Sequence, residues 1–234
     1  KQALWMYRSL LCYQANHESQ IEEGISAYYY HQSAIARLKL DIWLLKKTAQ
    51  ALSVFAQKNI QTPTFIPVHI TSLTNEYLPD FLEAYEDIPS DIRQKFLILE
   101  IRGIEKMHLN QLLLVLEQLN QHSYALAVDI TNHAQINAIF QDPQLLANVT
   151  WFGVDAQNFY GQDDILQTLL NDVMQQCALH SKKSYCFNLK RRITLRQLLS
   201  NNIDLVNGAA LVKSGDKIRP PFNLAKDRLL KTQP

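Results

Sequence analysis

The sequence is poor in the residues on which several common sites depend. Its 234 residues include only 6 glycines and 3 cysteines. So few glycines leave little room for a dinucleotide-binding fingerprint or a phosphate-binding loop, and neither pattern is present. Cys12, Cys177 and Cys186 lie far apart, so the CxxC spacing of a zinc or redox site is missing. We expect buried, reduced thiols in a cytoplasmic protein.

Long apolar runs and an excess of charge of one sign are also missing. No apolar run approaches the roughly 20 residues that a membrane-spanning helix needs. The formal net charge is +1, which gives no case for bulk attraction to nucleic acid or to an anionic membrane. The first residue is Lys1, and no signal-peptide pattern follows it. We expect a cytoplasmic fragment of a longer protein, whose other domains and membrane attachment stay open.

What the sequence does contain is clearest between residues 96 and 132. A short apolar run at 96–101 is followed by leucines at helical spacing over 109–119 and by a second apolar run at 124–130. Strand, helix and strand with a short return predict a right-handed crossover and two parallel strands. Glu100 and Asp129 lie late in these strands. Because parallel strands end at the edge where α/β folds bind ligands, we expect both carboxylates there.

The rest of the chain continues the alternation of strands and helices. The strand-like runs are 4–13, 65–71, 96–101, 124–130, 149–155, 183–189 and 203–212. The helical runs are 36–58, 72–84, 109–119, 133–147, 163–180 and 194–200, the last of which Thr194 would cap. This alternation predicts an α/β fold with mostly parallel strands, a TIM-like (β/α) barrel, and an open doubly wound sheet is the alternative. The barrel domain would cover residues 1–221, and residues 222–234 would form a tail or short helix.

Short motifs in this order resemble the bacterial EAL domain. Its opening signature, Glu-Ala-Leu-Leu-Arg plus an aromatic residue, is matched by Arg-Ser-Leu-Leu-Cys-Tyr at 8–13. Its Val-Asn-Leu-Ser, Leu-Glu-Ile-Thr-Glu and Asp-Asp-Phe-Gly are matched at 68–71, 99–103 and 129–132, and its Lys-Ile-Asp at 153–155. The later Ala-Glu-Gly-Val-Glu and Gln-Gly fall on 186–190 and 207–208. The resemblance implies a barrel of the EAL type, which in active members hydrolyses cyclic di-GMP with divalent metals.

The resemblance also assigns roles to positions that carry different residues here. The metal-binding positions would be Arg8, His69, Glu100, Asp129 and either Phe187 or Lys190; the catalytic lysine would be Gly153, the second aspartate Ile130, and Asp155 and Asn207 are further active-site positions. A cationic side chain about 4 Å from a metal ion costs on the order of 4 kcal/mol at an effective dielectric constant of about 20. We therefore predict no divalent metal cofactor and no enzymatic activity. Arg8 and Lys190 would instead compensate Glu100 and Asp129.

We expect this chain to have lost the binding of cyclic di-GMP, with retained binding as the alternative. Cys12 replaces the arginine that the resemblance assigns to a phosphate, and a thiol is no substitute for a guanidinium. Tyr28, Tyr29 and Tyr30 either stack on a base or pack a loop over the barrel, and Arg191 beside Lys190 is a further candidate ligand contact. His69, Glu100 and Asp129 form either a new metal site or, as the commoner arrangement, a structural polar network.

Two functions follow from these expectations. The first is a catalytically inactive regulatory domain that acts through contacts with other proteins or with neighbouring domains in bacterial second-messenger signalling. A homodimer is compatible with this function, and nucleic acid is not an expected partner. The second is a receptor that binds cyclic di-GMP without hydrolysing it. Nucleotide titration distinguishes the two.

Overall fold

The computed structural model describes residues 7–8, 12–14, 21–23, 33–57 and 62–208, which form two compact units. The N-terminal unit contains the described residues up to Val128 together with Gln144–Val149. The C-terminal unit contains Asp129–Pro143 and the described residues from Thr150 onward. The domain boundary expected after residue 221 lies outside the described residues.

The N-terminal unit combines parallel strands with helices. Its elements are β1 (Tyr7–Arg8), β2 (Cys12–Gln14), β3 (Ile21–Glu23), α1 (Ala34–Gln57), β4 (Thr64–His69), α2 (Leu78–Glu86), α3 (Ser90–Phe96), β5 (Leu97–Arg102), α4 (Leu109–Asn120) and β6 (Ala125–Asp129), whose last residue belongs to the C-terminal unit. Short 3-10 helices at Ile70–Leu73 and Ile104–Lys106 follow β4 and β5. The strand order is β1-β4-β5-β6, with parallel pairing throughout, while β2 and β3 form a separate antiparallel pair.

Continuous apolar sequence explains the central strands of this unit. All residues of β5 are buried, and so are all residues of β4 except its last. A strand that is covered on both faces needs such a run instead of alternation. β4 and β5 pair with His69 beside Arg102 and Pro67 beside Glu100. The carboxyl ends of both strands therefore carry polar and charged side chains at adjacent positions.

The C-terminal unit repeats this architecture. Its elements are α5 (His133–Phe140), the start of α6 (Pro143–Asn148), β7 (Trp151–Asp155), a 3-10 helix (Ala156–Phe159), α7 (Asp163–Leu179), β8 (Lys183–Phe187), α8 (Arg192–Ser200) and β9 (Leu205–Val206). Strands β7, β8 and β9 are parallel neighbours. At α5 the Asn132 side chain accepts from the Gln135 N–H and the Gln135 side chain accepts from the Asn132 N–H, which is a capping box.

All seven predicted strands correspond to strands of the structure, but several boundaries were wrong. The first run contains β1 and β2, and β2 pairs with β3, a strand that lies outside the predicted runs. The helix predicted over 133–147 is two helices, because Pro143 lacks an N–H and begins α6 instead of extending α5. Thr194 is not the cap of α8: the helix begins at Arg192, and Thr194 is buried in its first turn.

Two further expectations concern cysteine and membranes. Cys177 and Cys186 are buried and form no disulfide, as predicted, and burial raises the pKa of the Cys177 thiol to about 12. Such a thiol is not a reactive thiolate near neutral pH. Within the part of the chain that the structure describes, no helix combines the length and apolar character needed to cross a bilayer.

Candidate functional site

Arg8 and Glu100 form a buried ion pair in the N-terminal unit. Arg8 Nε donates to Glu100 Oε2 at 2.9 Å and Arg8 Nη2 donates to Oε1 at 3.0 Å. Both side chains are 0% exposed. Strand β4 lies between β1 and β5, so the guanidinium reaches across one strand to meet the carboxylate. Bidentate pairing of this kind is the strongest form of carboxylate recognition by a side chain, and the predicted pairing of these two residues is confirmed.

The same pair determines how a divalent cation could approach Glu100. Arg8 stands at the position where the resemblance implies a metal-binding glutamate. A hard cation such as Mg²⁺ needs a cage of oxygen ligands, chiefly carboxylates. Both oxygens of Glu100 already accept hydrogen bonds from a guanidinium, which is a permanent cation. As these side chains stand, they do not fit a divalent cation, which would first have to displace Arg8.

His69 lies at the end of the neighbouring strand and is held by its own surroundings. Its backbone N–H donates to Asp41 Oδ2 at 3.0 Å, and its ring Nδ1 lies 2.8 Å from the Thr71 hydroxyl. Burial, followed by the charges of Lys106, Arg37 and Arg102, lowers the pKa of His69 from 6.5 to about 4. The ring is therefore neutral near pH 7, in a positively charged environment.

In the C-terminal unit, Asp155 is held by a neutral amide. Asn188 Nδ2 donates to Asp155 Oδ1 and Oδ2, each at 2.9 Å, and the Gln157 N–H donates to Oδ1 at 2.9 Å. Asp155 is 0% exposed. Asn188 has φ 56°, in the left-handed region that asparagine tolerates better than most residues. The Asp155 N–H in turn donates to Asp129 Oδ1 at 2.9 Å, so the two acids belong to one hydrogen-bonded group.

Lys190 does not compensate Asp129, so this part of the prediction was wrong. Its Nζ lies 4.0 Å from the ring centroid of Tyr160, and within the described ranges no ion pair joins it to Asp129. Arg191, the next residue, forms an exposed ion pair with Asp163. Lys190 is exposed and lies three residues after the end of β8, where its ammonium contacts the face of the Tyr160 ring.

At Gly153, the position that the resemblance assigns to a catalytic lysine, there is no room for a side chain. A Cβ atom built there would collide with the carbonyl oxygen and the ring of Tyr185. Tyr185 is fully buried, and its ring centroid lies 4.6 Å from that of Phe187. The sequence analysis missed Tyr185. The signal was a large aromatic residue in the next predicted strand, which pairs with Gly153 in the structure.

The remaining candidates are divided between buried and undescribed positions. Ile130 is fully buried and its N–H donates to the Gly153 carbonyl at 2.8 Å, while Asn207 holds the β8 end through backbone bonds to Cys186 and Leu189. The side chain of Cys12 and all of Tyr28, Tyr29 and Tyr30 lie outside the described residues. Among the described residues, the structure shows no group of three His, Cys, Asp or Glu side chains that could hold a metal ion.

Comparison with known proteins identifies the fold through structure alone. No model of a known family matches the sequence, and neither does any curated protein. Among solved structures, the Bacillus subtilis YkuI protein, with an EAL domain, in complex with substrate c-di-GMP and calcium, matches 96% of this chain with a TM-score of 0.72 and 16% identity. This chain covers 55% of that protein's length.

Two further solved structures agree with this match. The PaMucR phosphodiesterase in its c-di-GMP complex matches 88% of this chain and is covered over 83% of its own length, with a TM-score of 0.68 and 12% identity. The EAL domain of Mycobacterium smegmatis DcpA matches 75% of this chain and is covered over 79%, with a TM-score of 0.58 and 15% identity. At these identities the shared property is the fold.

These neighbours correct one expectation and confirm another. The prediction that the domain is not an enzyme is contradicted, because a protein with this fold is a phosphodiesterase and another holds c-di-GMP as its substrate. The predicted fold class is confirmed. The chain has the fold of EAL domains, a TIM-like α/β barrel with mostly parallel strands.

Proposed function

We propose that this chain is a regulatory domain of cyclic di-GMP signalling that acts through contacts with other proteins or with neighbouring domains, without a divalent metal at Glu100. The fold supports the signalling context, since the neighbours with this fold include complexes with c-di-GMP. The Arg8–Glu100 ion pair is the observation that carries the proposal. A guanidinium that binds both carboxylate oxygens supplies the positive charge that a metal would otherwise supply.

Direct measurement of metal binding tests this proposal. Mn²⁺ binding to the domain is followed by electron paramagnetic resonance, which counts free and bound ion. We expect no stoichiometric Mn²⁺ site in the wild-type domain and a new site in the Arg8→Glu variant, since that variant places two carboxylates together. Arg192→Glu is the matched control, because Arg192 is exposed and the substitution makes the same change in net charge. A stoichiometric Mn²⁺ site in the wild-type domain, unchanged in the Arg192→Glu control, would refute the metal-free site.

The second candidate function is binding of cyclic di-GMP, and the c-di-GMP complexes of two structural neighbours favour it. Titration calorimetry with the dinucleotide, with and without Mg²⁺, separates the two candidates. Micromolar binding in the absence of Mg²⁺ would identify a nucleotide receptor in place of a domain that acts through protein contacts. Release of linear dinucleotide is measured in the same samples, because one structural neighbour is a phosphodiesterase.

Cross-linking mass spectrometry tests the protein contacts. Lysines on the described surface, such as Lys39, Lys95 and Lys106, are exposed and available to the cross-linker. We expect reproducible cross-links from this surface to another domain or another protein. Cross-links confined to the domain itself would contradict the regulatory proposal.

A further inference from the structure

A small cleft lies at the N-terminus of α8 in the C-terminal unit. Its volume is about 140 Å³. The residues that lead into the helix, 188–191, line the cleft, and Thr194 lines it from the first helical turn. The other wall contains Tyr160 and Asp163, which lie between the 3-10 helix after β7 and the first turn of α7. The amino end of α8 therefore opens into this cleft.

The first turn of α8 has backbone donors that lack acceptors. Hydrogen bonding within the helix begins with the Leu195 N–H, which donates to the Arg191 carbonyl at 3.1 Å. Arg191 is the N-cap residue and makes no capping bond, because a guanidinium has no acceptor. Within the described ranges, the N–H groups of Arg192, Ile193 and Thr194 have no hydrogen-bond acceptor. Free N–H groups and the helix dipole both favour an anion at this end.

The Thr194 hydroxyl points to a ligand independently of the helix end. Thr194 is only 4% exposed, yet its hydroxyl has no hydrogen-bond partner in the part of the chain that the structure describes. Buried hydroxyls normally have a partner. This hydroxyl is not fully enclosed by protein atoms either, so it is accessible from the cleft that the residue lines. It can donate a hydrogen bond to a ligand oxygen there.

Lys190 supplies a positive charge to the same cleft. Its Nζ lies 4.0 Å from the ring centroid of Tyr160, and both residues line the cleft. The contact with the ring face leaves the three ammonium hydrogens available to oxygen acceptors. Arg191 and Asp163 also line the cleft and form an ion pair, so their charges offset each other. The charge of Lys190 is therefore the excess charge of the lining.

The chain that leads into α8 is held in place by buried neighbours. Asn188 is bonded to Asp155, and the Leu189 N–H donates to the Asn207 carbonyl at 3.0 Å. A Cβ atom at Gly208 would collide with the backbone of Leu189 and Asn188, so this close approach requires glycine. The donors at the cleft are therefore positioned before a ligand arrives, which lowers the entropy cost of binding.

We propose that this cleft binds the terminal phosphate of a phosphate monoester, with its oxygens on the N–H groups of the first turn of α8, the Thr194 hydroxyl and the Lys190 ammonium. Such a phosphate carries nearly two negative charges near pH 7 and has three strong acceptor oxygens. A volume of about 140 Å³ is below the usual range of small-molecule pockets, so it suits a terminal phosphate whose organic part stays outside. A phosphodiester, which continues on both sides, fits it less well. The site does not depend on the Arg8–Glu100 pair or on the proposed function.

Amide spectra of the ¹⁵N-labelled chain at fixed ionic strength test the site directly. Glycerol 3-phosphate is the monoester probe, inorganic phosphate is the second source of the group, and cyclic di-GMP is the diester. The amide protons of Arg192, Ile193 and Thr194 should move downfield and saturate with both phosphates, because a hydrogen bond to a charged oxygen deshields the proton. Cyclic di-GMP should leave them in place. Shifts with cyclic di-GMP alone, with inorganic phosphate alone, or with none of the three would overturn the proposal.

Thr194→Val tests the hydroxyl with little change in side-chain volume. Loss of this donor should weaken glycerol 3-phosphate binding about tenfold, the usual size for a hydrogen bond to a charged group. Thr194→Ser keeps the hydroxyl and should bind like the wild type. Thr168→Val is the control, because the Thr168 hydroxyl donates to the Asp164 carbonyl on α7 and does not line the cleft. Wild-type affinity in Thr194→Val would overturn the proposal.

Lys190→Gln tests the charge. Lys190 is exposed, so this variant should keep the dispersed amide spectrum of the wild type. Its affinity for glycerol 3-phosphate should fall about tenfold, since a charged donor is lost. Lys95→Gln removes an exposed lysine from the N-terminal unit and should leave the affinity unchanged. Equal affinities of the two lysine variants would contradict a phosphate contact at Lys190 and overturn the proposal.

Discussion

The two units each stabilise a buried carboxylate, but with different partner groups. Each has a fully buried carboxylate on a parallel strand of its sheet, Glu100 in the N-terminal unit and Asp155 in the C-terminal unit. Glu100 is matched by the guanidinium of Arg8, whereas Asp155 is matched by the amide of Asn188 and a backbone N–H. The contact described at Glu100 adds a second buried charge, whereas the contacts described at Asp155 come from neutral dipoles.

The difference determines how much stability each unit loses when a partner side chain is removed. A buried ion pair contributes little net stability, because desolvation of two ions offsets their attraction, but one ion left without the other is costly. A carboxylate held by dipoles needs several donors at once, and each donor contributes a smaller part. Removal of the one ion partner of Glu100 should therefore cause a large loss of stability, whereas removal of one donor to Asp155 should cause a smaller loss.

Removal of the Arg8 charge should have the largest effect. Arg8→Met keeps an unbranched side chain but leaves Glu100 buried with its main cation gone, which should lower the free energy of unfolding by about 3–5 kcal/mol. Urea unfolding followed by circular dichroism measures the change. The double variant Arg8→Met with Glu100→Leu removes both charges and should recover most of the loss. A double variant as unstable as Arg8→Met would show that packing, not charge, dominates this pair.

Replacement of Asn188 should have a smaller effect. Asn188→Ala removes the donor to both oxygens of Asp155 and places alanine at φ 56°, so we expect a loss of about 2–3 kcal/mol in unfolding free energy. Asn188→Gly also removes the donor but accepts that φ, so it should be about 1 kcal/mol less damaging. Urea midpoints of the two variants provide the comparison. Equal midpoints would mean that the backbone at Asn188 carries no strain.

This comparison shows how far the sequence could predict the site. Alternating apolar runs and helical spacing predicted the strands, because strands buried on both faces must be continuously apolar. The charge reversal at Arg8 predicted its pairing with Glu100, because carboxylates at a partly buried site need compensation and Arg8 introduces a positive charge there. Both inferences depend on requirements that act at the level of residue type.

The C-terminal site was not predictable in the same way. Lys190 was expected to meet Asp129, but the turn after β8 directs it to Tyr160, and Asn188 two residues earlier takes the contact with Asp155. Residue type does not reveal a left-handed backbone at Asn188, which aims the amide. Likewise, the sequence indicates only that a lysine is missing at Gly153, while the structure shows that Tyr185 occupies the space where a side chain of residue 153 would lie. Local backbone direction and packing decide these contacts.

A fall in pH should lower the stability of the N-terminal unit through protonation of His69. His69 has a pKa of about 4 in the folded protein against 6.5 in the unfolded chain, so the unfolded chain takes up the proton first as pH falls. The stability that depends on the neutral ring is therefore present above pH 6.5 and is lost progressively between pH 6.5 and pH 4. At about pH 5.5 the loss should be about 1 kcal/mol.

His69→Gln should flatten this pH dependence, as measured by thermal unfolding midpoints across that range. His133→Gln is the control, because His133 is about half exposed in the C-terminal unit. It should leave the slope nearly unchanged. A wild-type midpoint that stays constant from pH 7 to pH 5 would contradict the assignment of His69 as the titrating group.

The smallest effect should come from a His–Asp contact of similar length that is not buried. His133 Nε2 and Asp172 Oδ2 lie 3.0 Å apart, yet their side chains are 48% and 44% exposed. Water screens both groups, so Asp172→Asn should change the unfolding free energy by less than about 0.5 kcal/mol. Arg8 and Glu100 lie 2.8 Å apart at 0% exposure, so the two contacts have similar lengths and differ strongly in burial, although the Arg8–Glu100 pair is also bidentate. If urea unfolding shows similar losses for Asp172→Asn and Arg8→Met, burial is not what makes the Arg8–Glu100 pair critical, and the contrast between the two units fails with it.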